Sequence, residues 1–178
     1  MQKGHKTPIY KDIERVNIAV KHGIKANSPF RKARLLMPSN NAFAEGVIAF
    51  YAYMSKSELN PGAHHTLIYD VTKTNAGHGY KEATGIFTAP TEGIYVFIWV
   101  TRIWTDAHST KLMINTDIYG ATFIRASVAN DNSVSGTVVA YVRKGDSIFM
   151  RTHSIFAGNG NIESNYLGPT SFSGWLLQ

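Results

Sequence analysis

One stretch, GIYVFIWV at 93–100, leaves this chain few folds to choose from. Side chains along a strand alternate between its faces, so Tyr95, Phe97 and Trp99 share one side. Ile94, Val96, Ile98 and Val100 share the other, and both sides are apolar. An antiparallel sheet normally keeps one face wet, so a strand with no polar side needs cover on both. VIAFYAYM at 47–54 and SFSGWLL at 171–177 read in the same way. Such strands predict a sheet with one face on the domain core and the other on something else. The simplest cover is another copy of the chain, because symmetric homo-oligomers dominate soluble assemblies. The alternative is a monomer with a third layer from the N-terminal segment, and that segment is too polar to hide much apolar area.

The same region carries a spaced pattern. Tyr69, Asn75, Tyr80, Phe87, Gly93, Tyr95, Phe97 and Trp99 follow one another as aromatic, five residues, Asn, four, aromatic, six, Phe, five, then Gly-x-Tyr-x-Phe-x-Trp. This resembles the signature of the C1q globular head, a relative of tumour necrosis factor, with Tyr69 and Trp99 as mild departures. Ala49-Phe50 is similar to the family's first strand, Gly145-Asp146 to its late turn and SFSGWLL to its closing strand, about 130 residues in all. The resemblance implies an all-β, ten-stranded antiparallel jelly-roll sandwich over 42–178, assembled as a homotrimer. Val96, Ile98, Tyr51, Tyr53, Phe172 and Leu176 are the expected interface residues. It also implies an extracellular, non-enzymatic recognition protein, although one fold hosts many activities.

Composition agrees with a soluble β domain: 44% of residues are hydrophobic and 17% charged, with turn-forming residues between short apolar runs. No run is long enough to span a bilayer, and no charged-then-apolar leader opens the chain, so secretion rests on resemblance alone. Cysteine is absent, so no disulfide reports an oxidising compartment.

The +6 charge belongs to the tail. Residues 1–34 hold nine Lys or Arg against two acids, +7, while the other nine basic and ten acidic residues give −1. Nucleic-acid binding needs such charge joined to a stacking platform or groove-reading helix, and neither is visible. A solvated tail or weak attraction to anionic glycans or lipid headgroups fits better. Within it, Ile9, Ile13, Val16, Val20 and Ile24 place one apolar stripe on a short helix, the pattern of a coiled-coil seam, though two heptads are marginal alone and a mobile arm fits equally. Residues 1–41 are thus read as a basic extension, with a linker from Ala26 to Asn41.

Catalytic patterns are missing. The seven histidines lack metal-ligand spacing, no nucleophile elbow or phosphate loop occurs, and twelve acids are dispersed. Binding loops are the better candidates. THSIFAGNGNIESNYLG, 152–168, is long and polar, and it offers Asn159, Asn161, Glu163, Asn165 and Tyr166. Amides and carboxylates pair well with vicinal hydroxyls. Trp104, Asp106 and His108 are the second choice, suited to stacking on a sugar while bonding its hydroxyls, against the alternative of a buried Trp104. Asn130-Asp131-Asn132 reads as a turn. No cofactor is required. By resemblance calcium is admitted near Asp106 and Asp117, without an Asp-x-Asp cluster to support it. Stalkless C1q-domain proteins of invertebrates are widely lectins for microbial or sialylated glycans, so the resemblance implies a trimeric lectin. Its rival is a signalling or scaffold ligand for a protein receptor or matrix.

Overall fold

The computed structural model describes residues 46–127, 130–156 and 158–177. The apolar stripe Ile9 to Ile24 and the linker to Asn41 lie outside them. Ten strands follow in chain order: β1 (Ala49–Tyr53), β2 (Val71–Ala76), β3 (Tyr80–Lys81), β4 (Ile86–Thr88), β5 (Gly93–Ile103), β6 (Asp106–Ile114), β7 (Asp117–Ala126), β8 (Asn132–Val142), β9 (Ser147–Thr152) and β10 (Ser171–Leu176). They build two antiparallel sheets, ordered β2-β1-β10-β5-β8 and β3-β4-β9-β6-β7, the expected jelly-roll sandwich.

The spaced aromatics are the filling between the sheets. Tyr69, Phe87, Tyr95 and Phe97 are wholly buried, and Tyr80 and Trp99 nearly so. Phe50 stacks on Tyr80 at 5.1 Å and on Phe87 at 4.7 Å, and meets the edge of Phe172 at 4.9 Å. Tyr95 stacks on Phe97 at 5.8 Å. Each buried ring contributes about 1.5–3 kcal/mol from lost water contact, and each ring pair about 0.5–1.5 kcal/mol more. Asn75 explains its own place in the spacing. Its side chain accepts the Tyr80 N–H at 3.1 Å and donates to the Tyr80 carbonyl at 2.9 Å, closing the turn between β2 and β3. Burial pushes the Tyr69 and Tyr80 phenols far above the ordinary tyrosine range, so both stay neutral well into alkali.

Trp99 closes the sandwich where the edge strands β7 and β8 approach each other. A Cβ built on Gly136 would stand 2.1 Å from its ring, and one on Gly120 3.0 Å. The indole N–H donates to Thr122 Oγ1 at 3.1 Å, which joins Thr110 and Thr101 in a buried hydroxyl chain. Beyond it a small apolar cluster of Ile103, Ile124 and Ala126 underlies the loops.

On the outer face of the first sheet, Val96 stands between Trp175 and Val139, and Ile98 between Ser173 and Thr137. Tyr51 and Tyr53 point the same way, opposite Ser173 and Ser171. Phe172 and Leu176 do not. Phe172 is wholly buried within its own chain, and Leu176 packs on the same core. Both were expected on the outer face; there β10 presents Trp175 instead, since alternation gives the two parities opposite sides.

The Trp99 fit generates a stability prediction. Gly136→Ala should cost about 1–3 kcal/mol in urea denaturation, because the added methyl meets the indole ring rather than a flexible chain end. Gly62→Ala, whose added methyl meets nothing within 4 Å, is the control and should be near neutral.

Candidate functional site

Strand direction sorts the connections onto two poles. The start of β1 lies at one pole with the turns Asn115–Thr116 and Arg143–Asp146. The opposite pole gathers residues 54–70 after β1, Trp104–Thr105 between β5 and β6, the β7–β8 connection, and residues 153–170 before β10. The loops singled out from sequence therefore converge on the pole far from where the chain enters β1.

The 152–168 segment is held more tightly than its composition suggests. Ile162 is wholly buried, and its backbone exchanges bonds with Glu58 at 2.9 and 3.0 Å. Asn161 Oδ1 accepts the Asn60 N–H at 3.2 Å, and Glu163 accepts the Ser57 hydroxyl at 2.8 Å. Asn165 Oδ1 accepts both the Leu167 N–H at 3.0 Å and Arg102 Nη1–H at 3.1 Å. The side chains of Asn161, Glu163 and Asn165 thus hold the loop. Tyr166, at the turn between Asn165 and Gly168, is 95% exposed.

Arg102 is the residue that sequence reasoning passed over. It ends β5 almost buried, bonding Asn165 and the Gly168 carbonyl on one side and the Asp131 carboxylate on the other. A guanidinium is the one side chain whose fork reaches three such acceptors. Asp131, read as a turn residue, is thereby tied to the 161–170 segment.

Asn159 is the exposed member of the predicted set with a built surround. Gly158 lies against β6, where a Cβ would meet the Ala107 carbonyl at 1.9 Å, and its φ of 98° suits glycine. The Asn159 N–H donates to that carbonyl at 3.3 Å, and His108 Nε2 bonds the Gly160 carbonyl at 3.1 Å. His108 is buried, so it supports this arch from beneath and does not face solvent. Asp106, at φ 65°, sets its carboxylate 3.3 Å from where a Gly160 Cβ would be. Trp104 is half-exposed.

Two open clefts flank the arch. One, of about 370 Å³, runs along Asn60 to Ala63 and is walled by Ile155, Phe156 and Asn159. The other, of about 260 Å³, is lined by Asp106, Arg125, Phe156 and Asn159. Phe156 also meets Phe123 at 5.7 Å, and Arg125 lies over the Phe123 ring at 5.7 Å. The pole thus joins aromatic walls with an amide, a carboxylate and a guanidinium. Asp106 and Asp117 lie at opposite ends of the β6–β7 hairpin and cannot share an ion. Among the described residues no three His, Asp or Glu side chains come together as a metal site.

Residues 49–177 match the family model of the C1q domain. The chain belongs to the C1q-domain family. The chain is 28% identical over 134 residues to zebrafish (Danio rerio) Caprin-2, covering 73% of this chain and 14% of that protein. The chain therefore spans only about one seventh of that relative's length. Among solved structures it is similar to the globular domain of zebrafish complement 1qA, with a TM-score of 0.61 at 16% identity, covering 74% of this chain and 98% of the other. Murine APRIL is also similar, with a TM-score of 0.55 at 12% identity, covering 74% and 99%. Domains of the C1q and tumour necrosis factor families are generally extracellular, trimeric binders of ligands rather than enzymes. The aromatic signature residues of this C1q domain are core residues and Asn75 closes a turn, so what its spacing shares with the family is scaffold.

Arg102→Lys keeps the charge but loses the fork, and should destabilise the domain by about 1.5–3 kcal/mol in urea. Limited proteolysis should then cut first within 162–170, while the wild type resists there.

Proposed function

We propose that this C1q domain is an extracellular, homotrimeric recognition module that binds glycans at the loop pole. The observation that carries the reading is the pair of clefts sharing Phe156 and Asn159. An exposed ring stacks on the apolar face of a sugar, while Asn159 and the Asp106 carboxylate bond hydroxyls. Arg125 suits a carboxylate or sulfate on the same sugar. Shallow polar sites bind weakly one at a time, because desolvation offsets most of the hydrogen-bond gain. Three on one rigid body raise avidity without a deep pocket. The trimer rests on the family's habit and on the outer face of Val96, Ile98, Tyr51, Tyr53 and Trp175, which needs cover. Of the residues singled out in the sequence, Asn159 and Asp106 are proposed to touch ligand, with Trp104 and Tyr166 at the rim. Asn161, Glu163, Asn165 and His108 act through the shape of the pole.

A second reading, a ligand for a protein receptor, is favoured by Leu59, Tyr166 and Leu167, three large side chains exposed on loops of the same pole.

A glycan array on the intact protein separates the two. The wild type should bind a subset of glycans, and Asp106→Asn with Asn159→Ala should lose about tenfold or more of that binding with the oligomer intact. A wild type that ignores every glycan yet captures a receptor ectodomain, in a manner abolished by Tyr166→Ala with Leu167→Ala, replaces the first reading with the second.

A further inference from the structure

We propose that His153 gates the loop-pole clefts by pH: its neutral imidazole holds the tip that carries Ile155 and Phe156, and protonation releases that tip. The inference rests on reading those clefts as the binding site, and it adds their regulation.

The geometry is local and explicit. His153 Nδ1 accepts the Ile155 N–H at 3.0 Å and the Phe156 N–H at 3.0 Å. A ring nitrogen accepts only through its lone pair, so the bound form is the neutral tautomer with its proton on Nε2. A second proton goes to Nδ1 itself. It removes the acceptor and points an N–H at two N–H donors. Both tip bonds are then lost together. Histidine is the side chain that ordinarily serves as a proton switch near neutral pH.

The chain on either side of the tip is fixed by other means. The His153 N–H donates to the Ser109 carbonyl at 2.9 Å, and the Thr152 N–H to the His65 carbonyl at 2.9 Å. Gly158 bridges to His108, and Asn159 bonds Ala107. Between these anchors Ile155 is 91% exposed and Phe156 45% exposed. The Phe156 ring also meets Phe123. Losing the two Nδ1 bonds therefore frees the tip and leaves the sandwich and the Asn159 arch in place.

Other titratable and charged groups stand on the elements around the tip, and the His153→Asn variant separates His153 from them. Arg151 lies on the same strand end, Lys111, His108 and Asp106 on β6, and Arg125 on β7. His64, His65 and Glu58 lie in the segment that pairs with Thr152, and Glu58 already faces His65 Nε2 at 3.3 Å. Among the described residues His153 enters no ion pair.

Phe156 walls both clefts, so freeing it lowers the fraction of molecules with a formed site, and apparent affinity falls by that fraction. Two neutral hydrogen bonds, each worth a few-fold to about tenfold, set the expected loss at about tenfold between pH 7.5 and 5.5.

The test needs no ligand. In the 15N-labelled full chain, the heteronuclear NOE of the Ile155 and Phe156 amides should be high at pH 7.5. It should drop at pH 5.5 while the rest of the spectrum is retained. His153→Asn supplies a side-chain carbonyl that accepts N–H groups two and three residues on, and it does not titrate. That variant should keep the tip ordered at both pH values, whereas His153→Ala should show it loose at both. A wild-type tip equally ordered at pH 5.5, or a His153→Asn tip that still loosens in acid, overturns the gate. An array glycan bound by the wild type at pH 7.5 should bind about tenfold more weakly at pH 5.5, and equally at both pH values to His153→Asn. If the NOE behaves as stated and no glycan binds, the gate stands and the glycan reading fails. If glycan binding in the wild type ignores pH and the tip stays ordered, the glycan reading stands and the gate fails.

Discussion

The stacking of Tyr95 on Phe97, continued by Trp99 against Gly136, is the interaction on which the other strands are placed. Three large rings on one face of a single strand demand a facing sheet, with gaps where neighbouring strands pass. Gly174 leaves such a gap in β10, where a Cβ would stand 2.5 Å from Phe97, and Gly136 leaves one in β8. The rings also take up the inward side of β5 from Tyr95 to Trp99. Val96 and Ile98 are left outside with no polar neighbour on their own strand to keep that face wet.

Period-two alternation is a local rule, which is why the two faces of β5 and the sandwich itself were legible in the sequence. The same rule misled at SFSGWLL, because each parity there holds a large apolar residue. Phe172, Gly174 and Leu176 compete with Ser171, Ser173 and Trp175. The deciding clue is Gly174: the core rings need the missing side chain, so the parity that contains glycine faces inward. The loop pole was legible as a place but not in its details. Glu163 finds Ser57, and Asn165 finds Arg102, partners far away in the chain that no spacing reveals. Arg102 reads in sequence as the end of a strand, and only the folded pole shows what it joins.

A division of labour follows between the frame and the pole. The aromatic core and the threonine chain above Trp99 fix the frame, and they account for the family spacing. The pole is built from side chains that hold loops (Arg102, Glu163, Asn165, His108) and from those left to face outward (Phe156, Asn159, Asp106, Arg125). On the proposed reading specificity lies in the second group, while family membership names the scaffold without naming a ligand.

The central claim is that the outer face of β5 and its neighbours is closed by further copies of the chain, setting three loop poles on one body. Sedimentation equilibrium at micromolar concentration tests it most directly. The wild type should sediment at three times the 19.7 kDa chain mass, and Val96→Asp or Ile98→Asp should dissociate it by placing a charge in an apolar contact. A wild type that sediments as a single chain, or an Ile98→Asp protein that remains trimeric, contradicts it.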